Sequence, residues 1–411
     1  KYVVIVGDGM PDYPIEELDG RTPLTYARTP NMDKLAKYGE VGLVRSVPPD
    51  MPPGSDVANL SVMGYDPARY YTGRSPIEAA AMGVELAEND LAFRCNLVTL
   101  SGDEPYEQRI MVDYSAGEID TAEAREIISL VAAELGSGTI NFYPGVSYRH
   151  LLVWREGPDP GGFNLTPPHD ITGKAIGAYL PGGGYGEALL ELMKRSSAIL
   201  PGHPVNRARA AGGLRTANSI WLWGQGRKPR LDSFPGKYGL EGAVISAVDL
   251  IKGLGLLAGL EVAEVAGATG TITTNFMGKA CKSLEVLVEG ADFVFIHVEA
   301  PDEAGHHGDL QTKIKAIEEI DEKVVGEVLR GLEEFPDYRL MILADHPTPL
   351  SLRTHTAEPV PFCIYQGKGG LRKSWGRSEA RNPRGAFDES FAAEGILIEE
   401  GYTLMSRFLG R

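Results

Sequence analysis

Three apolar runs constrain this chain more than any other feature. Residues 2–6, 293–298 and 339–344 are of strand length and rich in β-branched or other large apolar residues. Parallel strands buried on both faces read in this way. Each run gives way to acid, or to acid with histidine: Gly7-Asp8-Gly9-Met10, Asp302-Glu-Ala-Gly-His306-His-Gly-Asp309, and Asp345-His346. In open α/β sheets, ligands collect in the crevice outside the carboxyl ends of the strands. One arrangement met three times predicts one sheet edge bearing one site.

The chain has 411 residues, 43% hydrophobic and 23% charged, the make-up of a globular protein too long for one ordinary core. From about residue 83 to 234 the pattern becomes that of a separate α+β unit. This predicts a core domain of residues 1–82 and 235–411 with an inserted domain of 83–234. A net charge of −16 argues against nucleic-acid or anionic-membrane partners. An enzyme acting on an anion would then need a local positive site. No apolar run reaches membrane-spanning length and no signal peptide is expected, while residue 1 is not Met, so a few initial residues are expected to be missing. Cys95, Cys281 and Cys363 lie far apart with no C-x-x-C pair. That argues against a disulfide framework or a thiolate zinc site and suits a reducing cytoplasm.

Further elements follow from periodicity and capping signals. Helices are expected from Thr29-Pro30-Asn31, just after Ser55, over Thr121–Leu135, Glu187–Ser196, Ala243–Leu257 and Lys279–Glu289, and in one long stretch over Leu310–Phe335. Strands are expected at Val41–Val47, Leu91–Leu100, Tyr148–Arg155, Asn218–Trp223, Leu260–Val265 and Phe362–Tyr365. Asp302–Asp309 reads as a loop.

Each candidate group has an ordinary reading beside a chemical one. Asp8 suits a turn as well as a metal site. Asp302 and His306 suit a polar loop, but a hard oxygen with a borderline nitrogen four residues on also suits a divalent transition metal. Ser55 suits a helix N-cap. It also suits a nucleophile, because a helix start favours an incoming phosphate and a metal can lower a hydroxyl's pKa. Asp8, Ser55, Asp302, His306, Asp345, His346 and His355 together exceed the needs of one metal with open positions. They divide between two adjacent divalent cations, the arrangement that serves in-line displacement at phosphorus. Packing them together without cations would bury several charges at high cost. In the middle region, residues 192–231 contain neither Asp nor Glu but hold Arg207, Arg209, Arg227 and Arg230. That window reads as a phosphate or carboxylate surface, or as a solvated basic patch or subunit contact.

The stretches GDGM, PPGSDVANLSVMGYDP, DEAGHHGD, ADH and HTAEPVPF resemble, in order, motifs of the alkaline-phosphatase superfamily. Within it they are most similar to the cofactor-independent (2,3-bisphosphoglycerate-independent) phosphoglycerate mutases of the archaeal type. The resemblance spans the whole chain. It implies an alkaline-phosphatase-like three-layer α/β/α core with a mostly parallel sheet, interrupted by the inserted α+β domain that would bind substrate. It implies that Asp302, His306 and His355 hold one metal, and that Asp8, Asp345, His346 and the Ser55 oxygen hold the other. Manganese is the usual metal of the family, with cobalt, zinc or magnesium as alternatives, and no bisphosphoglycerate is used. Ser55 would carry the phosphoryl group while 3-phosphoglycerate and 2-phosphoglycerate interconvert, an isomerase step of glycolysis and gluconeogenesis. The substrate motifs of the family's longer form do not align clearly here. Arg207, Arg209, Arg227 and Arg230, with His169 and Asp170 of PPHDITGK, are the substrate-binding candidates. A phosphomonoesterase or another phosphomutase would share every metal ligand, and a non-catalytic binding protein is a third reading. A homo-oligomer is left open.

Overall fold

The computed structural model describes all residues except 103, 369–380 and 383. Contacts divide the chain into two compact units, Lys1–Tyr71 with Arg230–Arg411, and Thr72–Pro229. Composition alone puts the changes near residues 83 and 234. The difference at the first boundary lies in the helix Ser75–Ala81. Its Ala79 packs in a cluster with Ala92, Leu151 and Val153, and Ser75 Oγ donates to the Gly224 carbonyl. That helix belongs with the strands of the second unit.

In chain order the strands are β1 (Tyr2–Gly7), β2 (Glu40–Val44), β3 (Leu91–Leu100), β4 (Met111–Asp113), β5 (Ile140–Tyr143), β6 (Arg149–Trp154), β7 (Ser219–Arg227), β8 (Gly242–Ile245), β9 (Glu261–Val262), β10 (Phe293–Val298), β11 (Asp337–Leu343), β12 (Val360–Lys368) and β13 (Ile396–Ile398). The first unit holds one sheet in the order β13-β2-β12-β11-β1-β10-β8-β9. All neighbours in it are parallel except where β12 meets β11 and β2. Consecutive residues of β8 and β10 are all buried, as are Val3 to Gly7 of β1. Both faces of the sheet centre are therefore covered, as a mostly parallel α/β sheet requires. Because β10, β1 and β11 run side by side in one direction, their carboxyl ends open on one edge.

Two expectations are corrected here. Ala243–Leu257 is not one helix: Gly242–Ile245 is a strand paired with β10, and the helix begins at Asp249. A four-residue apolar run cannot be assigned by periodicity alone. The long helix is Leu310–Glu319 and Gly326–Leu332 joined by a π-helical turn, Ile320–Val325. The buried Asp321 carboxylate in that turn accepts from the backbone N–H groups of Asn31 and Met32.

In the second unit, β3 pairs antiparallel with β4, β6 and β7, and β5 with β6. The helix Thr121–Leu135 buries Ala124, Ile127, Ile128, Val131 and Leu135, a stripe at three- and four-residue spacing. The Asp120 side chain caps it by accepting from the Ala122 N–H. Among the described residues, no helix is long and apolar enough to cross a membrane.

Candidate active site at the strand ends

β1 delivers Asp8, which is 2% exposed. The chain then turns at Gly9, whose φ is +65°. A Cβ there would lie 2.7 Å from the Cα of Asp302 and from Thr348 Oγ1. Only glycine lets the first loop pass so close to the segment after β10.

That segment is a helix, Ala300–His307, where the sequence suggests a loop. The helix explains the D-x-x-x-H spacing, since residues four apart share a face. Asp302 Oδ2 lies 3.3 Å from His306 Nε2, and Asp302 Oδ1 lies 3.4 Å from His355 Nε2. The two imidazoles face each other with their Nε2 atoms 2.9 Å apart. His306 Nδ1 is 3.0 Å from the Arg353 carbonyl. Its N–H donates there, which directs the other nitrogen inward.

β11 delivers Asp345 and His346, both fully buried. Asp345 Oδ1 accepts from the N–H groups of Gly9 and His346, and Oδ2 accepts from Asn59 Nδ2 at 2.7 Å. Asn59 belongs to the helix Ser55–Val62, and its side chain also donates to the Ser55 carbonyl. Ser55 is the first residue of that helix; Gly54 occupies the cap position and Ser55 does not cap. Its Oγ instead lies 3.0 Å from His346 Nε2. The same nitrogen is 3.5 Å from Asp8 Oδ1 and 3.6 Å from Asp345 Oδ2.

All seven groups singled out as ligands are thus linked in one cluster. Among the described residues, two subsets are tight enough for a cation: Asp302, His346 and His355, and Asp8, His297 and Asp345, with ligand atoms within 4.8 Å of one another in each. His346, a member of the first, also borders Asp8 and Asp345 of the second, and His306 adjoins the first through Asp302. The group missed by sequence reasoning is His297. It lies inside β10, where a single polar residue in an apolar run passes for a core histidine.

The electrostatics call for positive charge. Burial, then the carboxylates of Asp345, Asp302 and Glu299, push the Asp8 carboxyl well above its ordinary range. Burial works the same way on Asp302, but its hydrogen bonds with His306 and His355 prevail and hold it well below that range. Asp8 Oδ1 is buried without a hydrogen-bond partner. Oxygen and imidazole donors around a buried, unsatisfied carboxylate fit divalent transition cations.

The substrate candidates fare unevenly. Arg209 is buried and donates to the Arg215 and Ala116 carbonyls and to Glu123. Arg227 donates to the carbonyls of Gly157 and Pro158. Arg207 is exposed, and Arg230, also exposed, begins the returning segment of the first unit. His169 and Asp170 are exposed neighbours, 3.6 Å apart. The His169 ring stands edge-on to Trp223 at 5.3 Å. Its pKa is lowered by partial desolvation of the ring and then, against the pull of Asp170, by Arg94 and Arg74.

A sheet edge that gathers three carboxylates, four imidazoles and a hydroxyl defines the class: a divalent-metal enzyme. A family model described as 2,3-bisphosphoglycerate-independent phosphoglycerate mutase matches residues 36–206. A probable mutase of that description from Geobacter sulfurreducens is 52% identical over 411 residues, covering 100% of both chains. One from Methanosarcina barkeri is 49% identical, covering 97% of this chain and 96% of the relative. A solved protein of Pyrococcus horikoshii superposes with a TM-score of 0.79 at 31% identity, covering 100% of this chain and 97% of that one. The cofactor-independent phosphoglycerate mutase of Thermoplasma acidophilum gives 0.64 at 26% identity, covering 100% and 98%. The chain belongs to the 2,3-bisphosphoglycerate-independent phosphoglycerate mutase family.

Proposed function

We propose that the chain interconverts 3-phosphoglycerate and 2-phosphoglycerate by passing the phosphoryl group through Ser55. The observation that carries this is the 3.0 Å approach of Ser55 Oγ to His346 Nε2, at a helix start beside the buried acids. Asp302, His306 and His355 would hold one cation, and Asp8, Asp345, His346 and Ser55 the other, with manganese the preferred metal. Bound there, such cations supply neutralisation of phosphate oxygens and acidify a neighbouring hydroxyl.

The work of the chain's own residues follows. Ser55 Oγ attacks phosphorus as the bond to the C3 oxygen breaks, leaving phosphoserine and glycerate protonated at that oxygen. The N–H groups at the start of the Ser55–Val62 helix favour the incoming phosphate. The C2 hydroxyl then attacks the same phosphorus as the bond to Ser55 Oγ breaks, and the proton lost from the C2 oxygen is balanced by one taken up on the Ser55 oxygen. Glycerate must stay bound between the two attacks, or water hydrolyses the phosphoserine.

We assign that retention to the Thr72–Pro229 unit. His169, whose ring is exposed, is more accessible to the glycerate carboxylate than Arg209 or Arg227, whose N–H groups already serve carbonyls. Phosphorus NMR of 3-phosphoglycerate mixed with the Mn-loaded protein, with no bisphosphoglycerate added, tests the reading. Appearance of 2-phosphoglycerate supports it. Release of inorganic phosphate from several monoesters without isomerisation selects a phosphomonoesterase instead.

A further inference from the structure

We infer that His297 is a further protein ligand of the cation held by Asp8 and Asp345. The inference rests on the two-cation reading above and extends it to a residue outside the motif set. His297 is fully buried in β10, in register with Val6 of β1, two residues before Asp8. Its Nε2 lies 3.1 Å from Asp8 Oδ2, and a ring nitrogen lies within 4.8 Å of a carboxylate oxygen of Asp345.

A core histidine kept for packing would have both nitrogens satisfied. Here Nε2 has no hydrogen-bond partner, because its approach to Asp8 lacks hydrogen-bonding geometry. The other oxygen of that carboxylate, Asp8 Oδ1, 3.5 Å from His346 Nε2, is also without a hydrogen-bond partner among the described residues. An imidazole nitrogen without a partner thus lies buried against a carboxylate that also has an unpartnered oxygen, and a cation held between the two groups would satisfy both.

The rest of the ring is arranged for that role. Nδ1 lies 3.4 Å from Ser246 Oγ, just beyond β8. An N–H donated to that oxygen leaves the Nε2 lone pair aimed at the acids. The His297 carbonyl accepts from Lys279 Nζ at 2.8 Å, and Lys279 is itself fully buried. Backbone and ring are both pinned.

The consequence is a choice of metal. Asp8 and Asp345 with His346 alone give an oxygen-rich site that magnesium tolerates. A second imidazole shifts it toward first-row transition cations such as manganese, cobalt or zinc. The site should discriminate against magnesium through His297.

The test uses the full-length protein, stripped of metal and titrated with Co2+, Mn2+ and Mg2+, beside His297→Asn and His297→Gln. Wild type should bind two Co2+ per chain. The variants should keep one cation and bind the other about tenfold or more weakly. The loss should be larger for Co2+ and Mn2+ than for Mg2+. In the Co2+-loaded wild type, nitrogen-15-labelled histidine should give four hyperfine-shifted rings: His297, His306, His346 and His355. That spectrum decides the matter even if the variants fold poorly. Three shifted rings would overturn the assignment of His297, as would variants that bind both cations with wild-type affinity. Wild type binding fewer than two cations would overturn the two-cation reading itself, and this inference with it.

Discussion

Asn59 Nδ2 joins Ser55 to Asp345, donating to the carbonyl of the first at 2.9 Å and to the carboxylate of the second at 2.7 Å. One side chain thereby sets the helix that presents the hydroxyl against the acid that ends β11. Asn59→Leu keeps the volume and removes both bonds. It should weaken Mn2+ binding by about 10–100-fold, the usual cost of removing a group that orients a ligand. Titration of metal-stripped protein measures this directly. Unchanged affinity would mean that Asp345 is oriented without Asn59.

Ser55→Ala should leave the fold intact and both cations bound, the one that loses the Ser55 oxygen more weakly. Mutase turnover should fall by about 10⁴-fold or more, the scale on which loss of a nucleophile is felt. Mass spectrometry of wild type quenched during turnover should find phosphate on the peptide containing Ser55, and none in the variant. A variant that still isomerises at an appreciable rate would exclude a carrier role for this hydroxyl.

Lys313 and Asp12 form a buried ion pair at 2.7 Å, with side chains 0% and 1% exposed. Lys313 Nζ also donates to the Pro11 and Thr348 carbonyls, tying together the loops that follow β1 and β11. Lys313→Met strands the Asp12 carboxylate and should cost about 3–5 kcal/mol of stability in denaturant unfolding. Combining it with Asp12→Asn, which removes the orphaned charge, should recover about half of that loss.

His150 supplies a pH dependence in the second unit. It is buried, and its Nδ1 accepts from the Gly145 N–H at 3.0 Å. Burial lowers its pKa from an ordinary 6.5 to about 3. The unfolded chain therefore binds this proton at a higher pH than the folded one. Stability should fall as pH drops below about 6.5, level off near 3, and lose on the order of 3–4 kcal/mol in between. His150→Gln keeps an acceptor without the titration. Unfolding curves of the two proteins should diverge in slope only within that window.

Much of the site could be read from sequence because its carriers are simple. Continuous apolar runs made β1, β10 and β11 visible, and the acids just beyond them marked the edge. What stayed hidden depends on three-dimensional neighbours. Asp302 and His306 sit on a helix that Pro301, Gly305 and Gly308 disguise as a loop. The extra residue of the π-helical turn at Ile320–Val325 leaves the apolar spacing nearly regular. The buried Asp321, held by backbone N–H groups of a distant segment, gives no local sign. His297 is legible only once Asp8 is known to lie against it. Arg209 and Arg227 look like anion ligands by charge, yet each serves carbonyls that sequence cannot locate.

The sheet order carries a consequence for synthesis. β1 is flanked by β10 and β11, which belong to residues 293–298 and 337–343. On the ribosome, β1 has neither of its sheet neighbours until residues 293–298 have emerged. Its apolar residues wait exposed, or in transient company, while the intervening unit has time to fold. Truncated nascent chains ending before residue 293 should therefore be sticky at β1, and chaperone demand should fall sharply once residue 343 clears the exit tunnel.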